Sequence, residues 1–151
     1  MTTAATEGRV KIVVKLERDE DGYPPADYEG LWALPVGDGL FRIDNVPFFA
    51  RGIAWGDIVS ATVEQQELRF IHVVRASGHS TLRLIIHDAK ELPSVSWFLE
   101  QQGCAIERSH IPGLISVDVP PAASIDSLRK TLDEGEAQDR WGYEEACLAS
   151  T

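Results

Sequence analysis

A short run of hydroxyl, glycine and imidazole groups is the first stretch of this sequence that could do chemistry. Residues 77–81 read Ser-Gly-His-Ser-Thr, which places His79 at a glycine turn between small hydroxyl side chains. Imidazole titrates near neutral pH, so His79 is a candidate general base and Ser80 a candidate nucleophile. The surroundings do not match the Gly-x-Ser-x-Gly turn of hydrolases, and no orienting acid can be assigned from the sequence. The structural alternative is that Ser77 and Ser80 cap the turn while His79 hydrogen-bonds between two halves of the chain.

A second set of polar side chains is predicted on one face of a C-terminal sheet. Side chains alternate across a strand. In the strands predicted over residues 81–87 and 114–119, this alternation puts apolar residues on one face and Arg83, His87, Ser116 and Asp118 on the other. These four groups are a candidate site for a ligand or a partner. The alternative is an ordinary cross-strand surface, where an exposed Arg–Asp pair contributes little.

One aromatic cluster is a further candidate for partner binding. Trp55 stands beside a glycine, with Phe48 and Phe49 close by in the sequence. If Trp55 is exposed, it would mark a protein interface, whereas core packing is the ordinary alternative for such residues. Trp97 lies on a predicted helix and is expected in the core or at its rim.

Acidic side chains dominate the charge. The 24 Asp and Glu residues against 14 Lys and Arg residues give a formal net charge of −10. A surface this negative repels nucleic-acid phosphates, so no nucleic-acid partner is expected unless the scattered arginines converge in the fold. The acids concentrate in residues 17–29 and 133–145, which form either solvated faces or a docking surface for a basic partner. No run of about 18 apolar residues and no signal sequence is present, which predicts a cytoplasmic protein without a membrane partner.

Turn and strand signals divide the chain into two halves. Residues 1–9 are small and polar and are predicted to be disordered. Residues 10–77 hold five short strands with turn signals every 8–12 residues, a pattern that predicts a small β-barrel-like subdomain. An acidic loop with two prolines, residues 18–30, separates the first two of these strands.

The periodicity changes near residue 78. Residues 78–151 show the order strand, helix, strand, strand, helix, strand, which predicts a ferredoxin-like α+β subdomain. The predicted helices cover residues 91–102 and a segment that Ser124 caps. In this topology the second and fourth strands are opposite edges, so Cys104 and Cys147 are expected roughly 14 Å apart. A disulfide needs Cα atoms within about 7 Å, so both cysteines are expected to be reduced.

Metal and cofactor sites are not predicted. The four histidines show neither His-Glu-x-x-His spacing nor a pairing with cysteine. The two cysteines have no Cys-x-x-Cys partner. We therefore expect no metal and no cofactor.

Six motifs carry a family resemblance. They are DEDGYPP, LWA, DNVPFFARGIAWGD, SGHST, VDVPP and EEACL, and the resemblance runs from Val10 to Leu148. Together they resemble an uncharacterised bacterial family, the domain of unknown function numbered 4265. The resemblance implies a freestanding bacterial protein and transfers no activity onto any residue.

These observations favour a small acidic, non-catalytic binding protein that recognises another protein. Its most concrete version is an immunity or inhibitor protein that masks a basic toxin. The alternative is an enzyme or a small-molecule sensor with its site at the seam between the two halves, near His79. The two hypotheses differ in whether a concave pocket with convergent polar groups lies beside that histidine.

Overall fold

A computed structural model describes residues 8–149 of the chain. Most of the predicted disordered segment 1–9 lies outside the described residues, whereas Arg9 contacts Asp44. The described residues form a mixed α+β structure with two sheets and two helices, in which more residues lie in strands than in helices, and this confirms the predicted class. They divide into two compact units between Ser77 and Gly78. Within residues 8–149 no helix is long and apolar enough to cross a membrane.

The N-terminal unit is built from five strands. Strands β1 to β5 span Val10–Lys15, Tyr28–Gly37, Leu40–Ile43, Ile58–Glu64 and Glu67–Arg75. Consecutive strands pair in antiparallel fashion, and β1 also pairs with β5 in parallel, so the sheet closes on itself. The side chains inside this closed sheet are apolar, and the buried ones are Ile12, Val14, Leu16, Leu31, Ala33, Ile43, Ala50, Ile53 and Val59.

Two turns of this unit have positive backbone φ angles at both central residues, and only the first of them has the sequence that predicts this. Asp38 and Gly39 join β2 to β3, and both have positive φ angles, 57° and 74°. Positive φ at both central residues matches the right-handed twist of a hairpin, which is why Asp-Gly is a strong hairpin signal. Gln65 and Gln66, between β4 and β5, also both have positive φ angles. Strand β2 departs from the prediction, because it begins at Tyr28, inside the expected loop 18–30, where it pairs with the end of β1.

Two buried carboxylates hold the irregular segment between β3 and β4. Glu29 on β2 accepts hydrogen bonds from the backbone N–H groups of Phe48, Phe49 and Ala50, at 2.6, 3.0 and 2.8 Å. Asp57 accepts one from the backbone N–H of Ala54 at 2.9 Å. A loop buried in this way must satisfy its backbone donors, and the two acids do so.

The C-terminal unit alternates strands and helices. Strand β6, helix α1, strands β7 and β8, helix α2 and strand β9 span Ser80–Ile86, Leu92–Gln101, Ala105–Arg108, Leu114–Val119, Ile125–Ala137 and Trp141–Cys147. The sheet order is β7-β8-β6-β9, and every neighbouring pair is antiparallel. Strands β7 and β9 are thus opposite edges. Cys104 directly precedes β7, Cys147 ends β9, and neither of these two cysteines forms a disulfide.

Both helices cover one face of this sheet. Ser124 caps α2 as predicted, since its Oγ accepts a hydrogen bond from the Ser127 N–H at 3.2 Å. Helix α1 follows a short 3-10 turn, residues 89–91, and has a proline in its first turn, where the missing N–H costs nothing. The alternation predicted for β6 and β8 is confirmed, because the buried apolar side chains of these strands pack with those of the helices: Leu82, Leu84, Ile86, Ile115, Val117, Val119, Val95, Leu99, Leu128 and Leu132.

Candidate functional site

The candidate catalytic histidine has an acidic partner. His79 Nδ1 lies 2.8 Å from Asp118 Oδ1. Residue 79 directly precedes β6, and the β6–β8 register places Thr81 opposite Asp118, which brings the two groups together. Burial raises the pKa of Asp118, and the hydrogen bond and charge of His79 oppose that rise. The carboxylate orients the imidazole, so a proton transfer by His79 would use Nε2.

The two serines of the motif serve the backbone. Ser80 is buried, and its Oγ accepts a hydrogen bond from the Ala149 N–H at 2.9 Å. Ser77 donates its N–H to Asp57 at 2.8 Å and its hydroxyl to the Trp55 carbonyl at 2.7 Å. These bonds agree with the capping alternative. They give Ser80 a structural role in anchoring the C-terminal segment.

Three of the four polar residues predicted on the helix-free face do lie on it. Arg83 and Ser116 are direct cross-strand neighbours, and Asp118 follows two residues along β8. His87 is separate, because it lies beyond the end of β6, where its Nδ1 contacts the Asp139 carbonyl at 2.8 Å. The four groups therefore do not converge on one point.

The helix-free face is not the exposed polar surface considered as an alternative. Arg83, Ser116 and Asp118 are only 2%, 0% and 8% exposed. Arg83 donates from Nε to Glu144 Oε1 at 2.7 Å, which links β6 to β9. Buried charges need such partners, since desolvation of an unpaired ion is costly. Glu144 is a residue that the sequence interpretation missed, and the signal for it was the alternation within the last strand.

The aromatic candidates separate into buried and exposed members. Phe49 packs on the core of the N-terminal unit and meets Tyr23 edge-on, with ring centroids 6.0 Å apart. Trp55 is 37% exposed, and its role in partner binding stays a prediction. Trp97 is 64% exposed, so its expected place in the core or at its rim is wrong.

A cleft of about 530 Å³ opens at the start of α2. Its walls include Ser80, Pro120, Pro121, Ser124, Arg129 and Leu148. The cation in this cleft is neutralised, because Arg129 contacts Glu145 at 2.6 Å and Asp126 at 3.2 Å. The cleft is large enough for a small ligand, but its polar groups are engaged in structural bonds. Among residues 8–149 no group of three or more His, Cys, Asp and Glu side chains is placed to hold a metal ion.

The two thiols differ in environment, which predicts different reactivity. Burial raises the pKa of Cys104 to about 11, and the charge of Asp118 adds to the rise. At pH 8 only about a thousandth of the Cys104 thiol is then ionised, and the thiolate is the reactive form. We expect a slow phase from Cys104 and a faster one from the half-buried Cys147 in a reaction with a disulfide reagent. The variant Cys147→Ser should retain only the slow phase, and a persistent fast phase would contradict the assignment.

Comparisons with known proteins give one structural relative and one family. No curated protein matches the chain. A solved structure, described as "Novel crystal structure of a hypothetical protein from Neisseria gonorrhoeae", is 28% identical, with a TM-score of 0.80 over 95% of this chain and 97% of that chain. The family described as "Domain of unknown function (DUF4265)" matches residues 29–143, most of the chain. The predicted family is thereby confirmed, and the chain belongs to the DUF4265 family.

Proposed function

We propose that this protein is a non-catalytic binding protein that recognises another protein of basic character. The observation that carries the proposal is Trp97, a tryptophan 64% exposed on helix α1. Large aromatic side chains are the residues that most often anchor protein interfaces. Their exposure to water is unfavourable in a free monomer, and a partner that covers the ring would recover the hydrophobic free energy.

Helical geometry supports a binding role for this residue. Trp97 is two positions from both Val95 and Leu99, the two buried residues of α1. Two positions correspond to about 200° around an α-helix, so the indole points directly away from the sheet. The packing of α1 therefore does not need a tryptophan at this position. A solvent-facing tryptophan that the fold does not use is available to a partner.

The charge around the helices favours a basic partner. Helices α1 and α2 cover the same face of the sheet, and α2 carries exposed acids, including Asp126, Asp133 and Glu134, with Lys130 as an exposed cation. The whole chain has a net charge of −10. Complementary charge accelerates association, and this acceleration weakens with salt. An immunity or inhibitor protein against a basic toxin is the most concrete form of this proposal.

A photo-crosslinking residue at position 97 tests the proposal. Expressed in the bacterial host, the protein should crosslink to a basic protein through this position. With that partner purified, Trp97→Ser should weaken binding about 30-fold, the loss typical of an interface hot spot. The variant Trp55→Ser removes the other candidate aromatic, so the pair of variants decides which residue is the anchor.

The second part of this test measures how the association rate depends on salt and on the exposed acids of α2. The association rate of the wild-type protein should fall steeply as salt rises, and replacement of the exposed acids of α2 by their amides should flatten that dependence. Binding that is equally strong in Trp97→Ser, or a partner that is acidic, would refute the proposal.

A catalytic or small-molecule-sensing function is the second candidate, and one observation favours it. His79 is oriented by Asp118 through a 2.8 Å contact, the arrangement in which an imidazole can serve as a base. In that case Asp118→Asn should abolish the activity without loss of the fold.

We further infer a cytoplasmic location, a small β-barrel for the N-terminal unit and a ferredoxin-like fold for the C-terminal one. The closing β1–β5 pair and the β7-β8-β6-β9 order support the two fold assignments.

A further inference from the structure

We propose that the outer face of the N-terminal sheet binds single-stranded nucleic acid. This face, called here the aromatic–basic face, is formed by β1, β2 and β5 with the residue that precedes β1. Its members are Arg9, Lys11, Lys15, Tyr28, Trp32 and Arg69, with Gly30 between the two aromatic residues. The proposal concerns a different surface and a different class of partner from the helix layer around Trp97.

Strand register gathers the members of this face. The β1–β2 pairing places Lys11 opposite Trp32 and Lys15 opposite Tyr28. The alternate residues Ile12, Val14, Glu29 and Leu31 are buried, so the side chains of Lys11, Lys15, Tyr28 and Trp32 all point outward. Tyr28 and Trp32 remain 48% and 40% exposed.

The cations stand over the aromatic rings. The Arg9 guanidinium and the Lys11 ammonium lie 4.8 and 4.6 Å from the centroid of the Trp32 ring, and the Arg69 guanidinium lies 5.4 Å from that of Tyr28. A base that stacks on either ring would take over the part of the ring face that a cation now covers, and the displaced cation would then lie next to the phosphate of that base. Aromatic rings for bases and cations for phosphates are the two components of a single-strand binding surface.

Gly30 leaves room for the Lys11 side chain to lie across the sheet. A Cβ at position 30 would lie 2.7 Å from Cδ of Lys11, so the stem of this lysine crosses the sheet in the space that a side chain would occupy. This path takes the ammonium to Trp32. Tyr28 and Trp32, four residues apart on one strand, are separated by about 13 Å, with the stem of Lys11 over Gly30 between them.

The ring arrangement favours a nucleic-acid strand over an acidic peptide. A carboxylate-rich peptide would need the cations but would have no use for two exposed rings along one strand. Bases have flat π faces that stack on such rings, and only an unpaired strand offers those faces freely. Duplex DNA would leave Tyr28 and Trp32 without a stacking partner.

Local charge on this face differs from the charge of the whole chain. Four cations are present, and their acidic neighbours include Asp44 beside Arg9 and Glu67 and Glu64 near Arg69. The sequence predicted no nucleic-acid partner because these cations are scattered along the chain. The pairing of β1 with both β2 and β5 brings them together. The net charge of −10 should make binding weak and strongly dependent on salt.

The test measures binding of labelled oligothymidylate, of about twelve nucleotides, by fluorescence anisotropy at several salt concentrations. The wild-type protein should bind at low salt. Trp32→Thr, which keeps a good strand former at the position, should weaken binding about tenfold through lost stacking. Lys11→Gln should lower the salt slope by about 0.7, the contribution of one phosphate on a single strand.

A third variant and two controls distinguish a loss of nucleic-acid binding from a loss of folding and from an effect on the proposed protein interface. Gly30→Ala should fold normally, because only the flexible Lys11 stem must move, and should weaken binding by displacing that lysine. Lys130→Gln and Trp97→Ser remove one cation and one exposed tryptophan of the other unit and should leave binding unchanged. Trp97→Ser should affect only protein recognition, so the two proposals can fail separately.

Three outcomes would overturn the proposal. They are no binding to the oligonucleotide at low salt, equal affinity of Trp32→Thr and the wild-type protein, and tighter binding to oligoglutamate or duplex DNA than to the single strand.

Discussion

Replacement of Glu29 by alanine is expected to destabilise the protein by about 3–5 kcal/mol, because three backbone donors lose their acceptor at once. The Glu29 carboxylate accepts from three consecutive N–H groups, those of Phe48, Phe49 and Ala50. Glu29 is 9% exposed and Ala50 is 2% exposed, so water cannot easily replace the carboxylate. A buried donor without a partner costs about 1–3 kcal/mol.

Urea unfolding of the variant measures this effect. Glu29→Gln keeps one acceptor oxygen, but its amide N–H group faces backbone donors, so an intermediate loss is expected. Glu17→Ala removes an exposed acid near the end of β1 and should change the free energy of unfolding by less than about 0.5 kcal/mol. If Glu29→Ala cost less than Glu29→Gln, the carboxylate would not be what holds this loop.

Replacement of Gly135 by alanine should destabilise the protein by about 2 kcal/mol or more, although alanine is the better helix former. A Cβ at this position on α2 would overlap the indole ring of Trp141. That ring has little room to move, because it is 3% exposed and its Nε1 donates to the Leu132 carbonyl at 3.0 Å. The helix and β9 would have to separate, and overpacking of this kind exceeds the propensity gain of about 1 kcal/mol.

Thermal and urea unfolding of Gly135→Ala test this expectation against a matched glycine. A Cβ at Gly142 would have no atom within 4 Å, so Gly142→Ala should be close to neutral. A smaller ring should relieve the clash, so the double variant Gly135→Ala/Trp141→Phe should lose less stability than the sum of the two single variants. Additive losses would show that the two residues do not compete for the same space.

Local elements of the fold could be predicted because their signals are local. The strand at 114–119 was predicted with its observed bounds, since a glycine turn precedes it and prolines follow it. The cap at Ser124 was also predicted correctly. The start of β2 was missed because its acidic, proline-containing neighbourhood is typical of a loop, and pairing with β1 overrode that tendency.

The candidate site was less predictable, for two different reasons. The helical spacing was enough to predict that Trp97 points outward, because Val95 and Leu99 define the buried side of the helix. The expectation that Trp97 lies in the core or at its rim was therefore an error of interpretation. The partnership of His79 and Asp118 was not available, because it joins groups 39 positions apart through the register of two strands.

The sequence by itself determined which strands, helices and turns exist, their order along the chain, and which side chains of each element are apolar. Tertiary structure alone decided that Arg83 is buried against Glu144, that Glu29 holds a distant loop, and that dispersed cations meet on one face. Backbone conformation depends mainly on neighbours within a few residues. Contact between distant side chains depends on strand register and sheet closure, which the whole chain sets together.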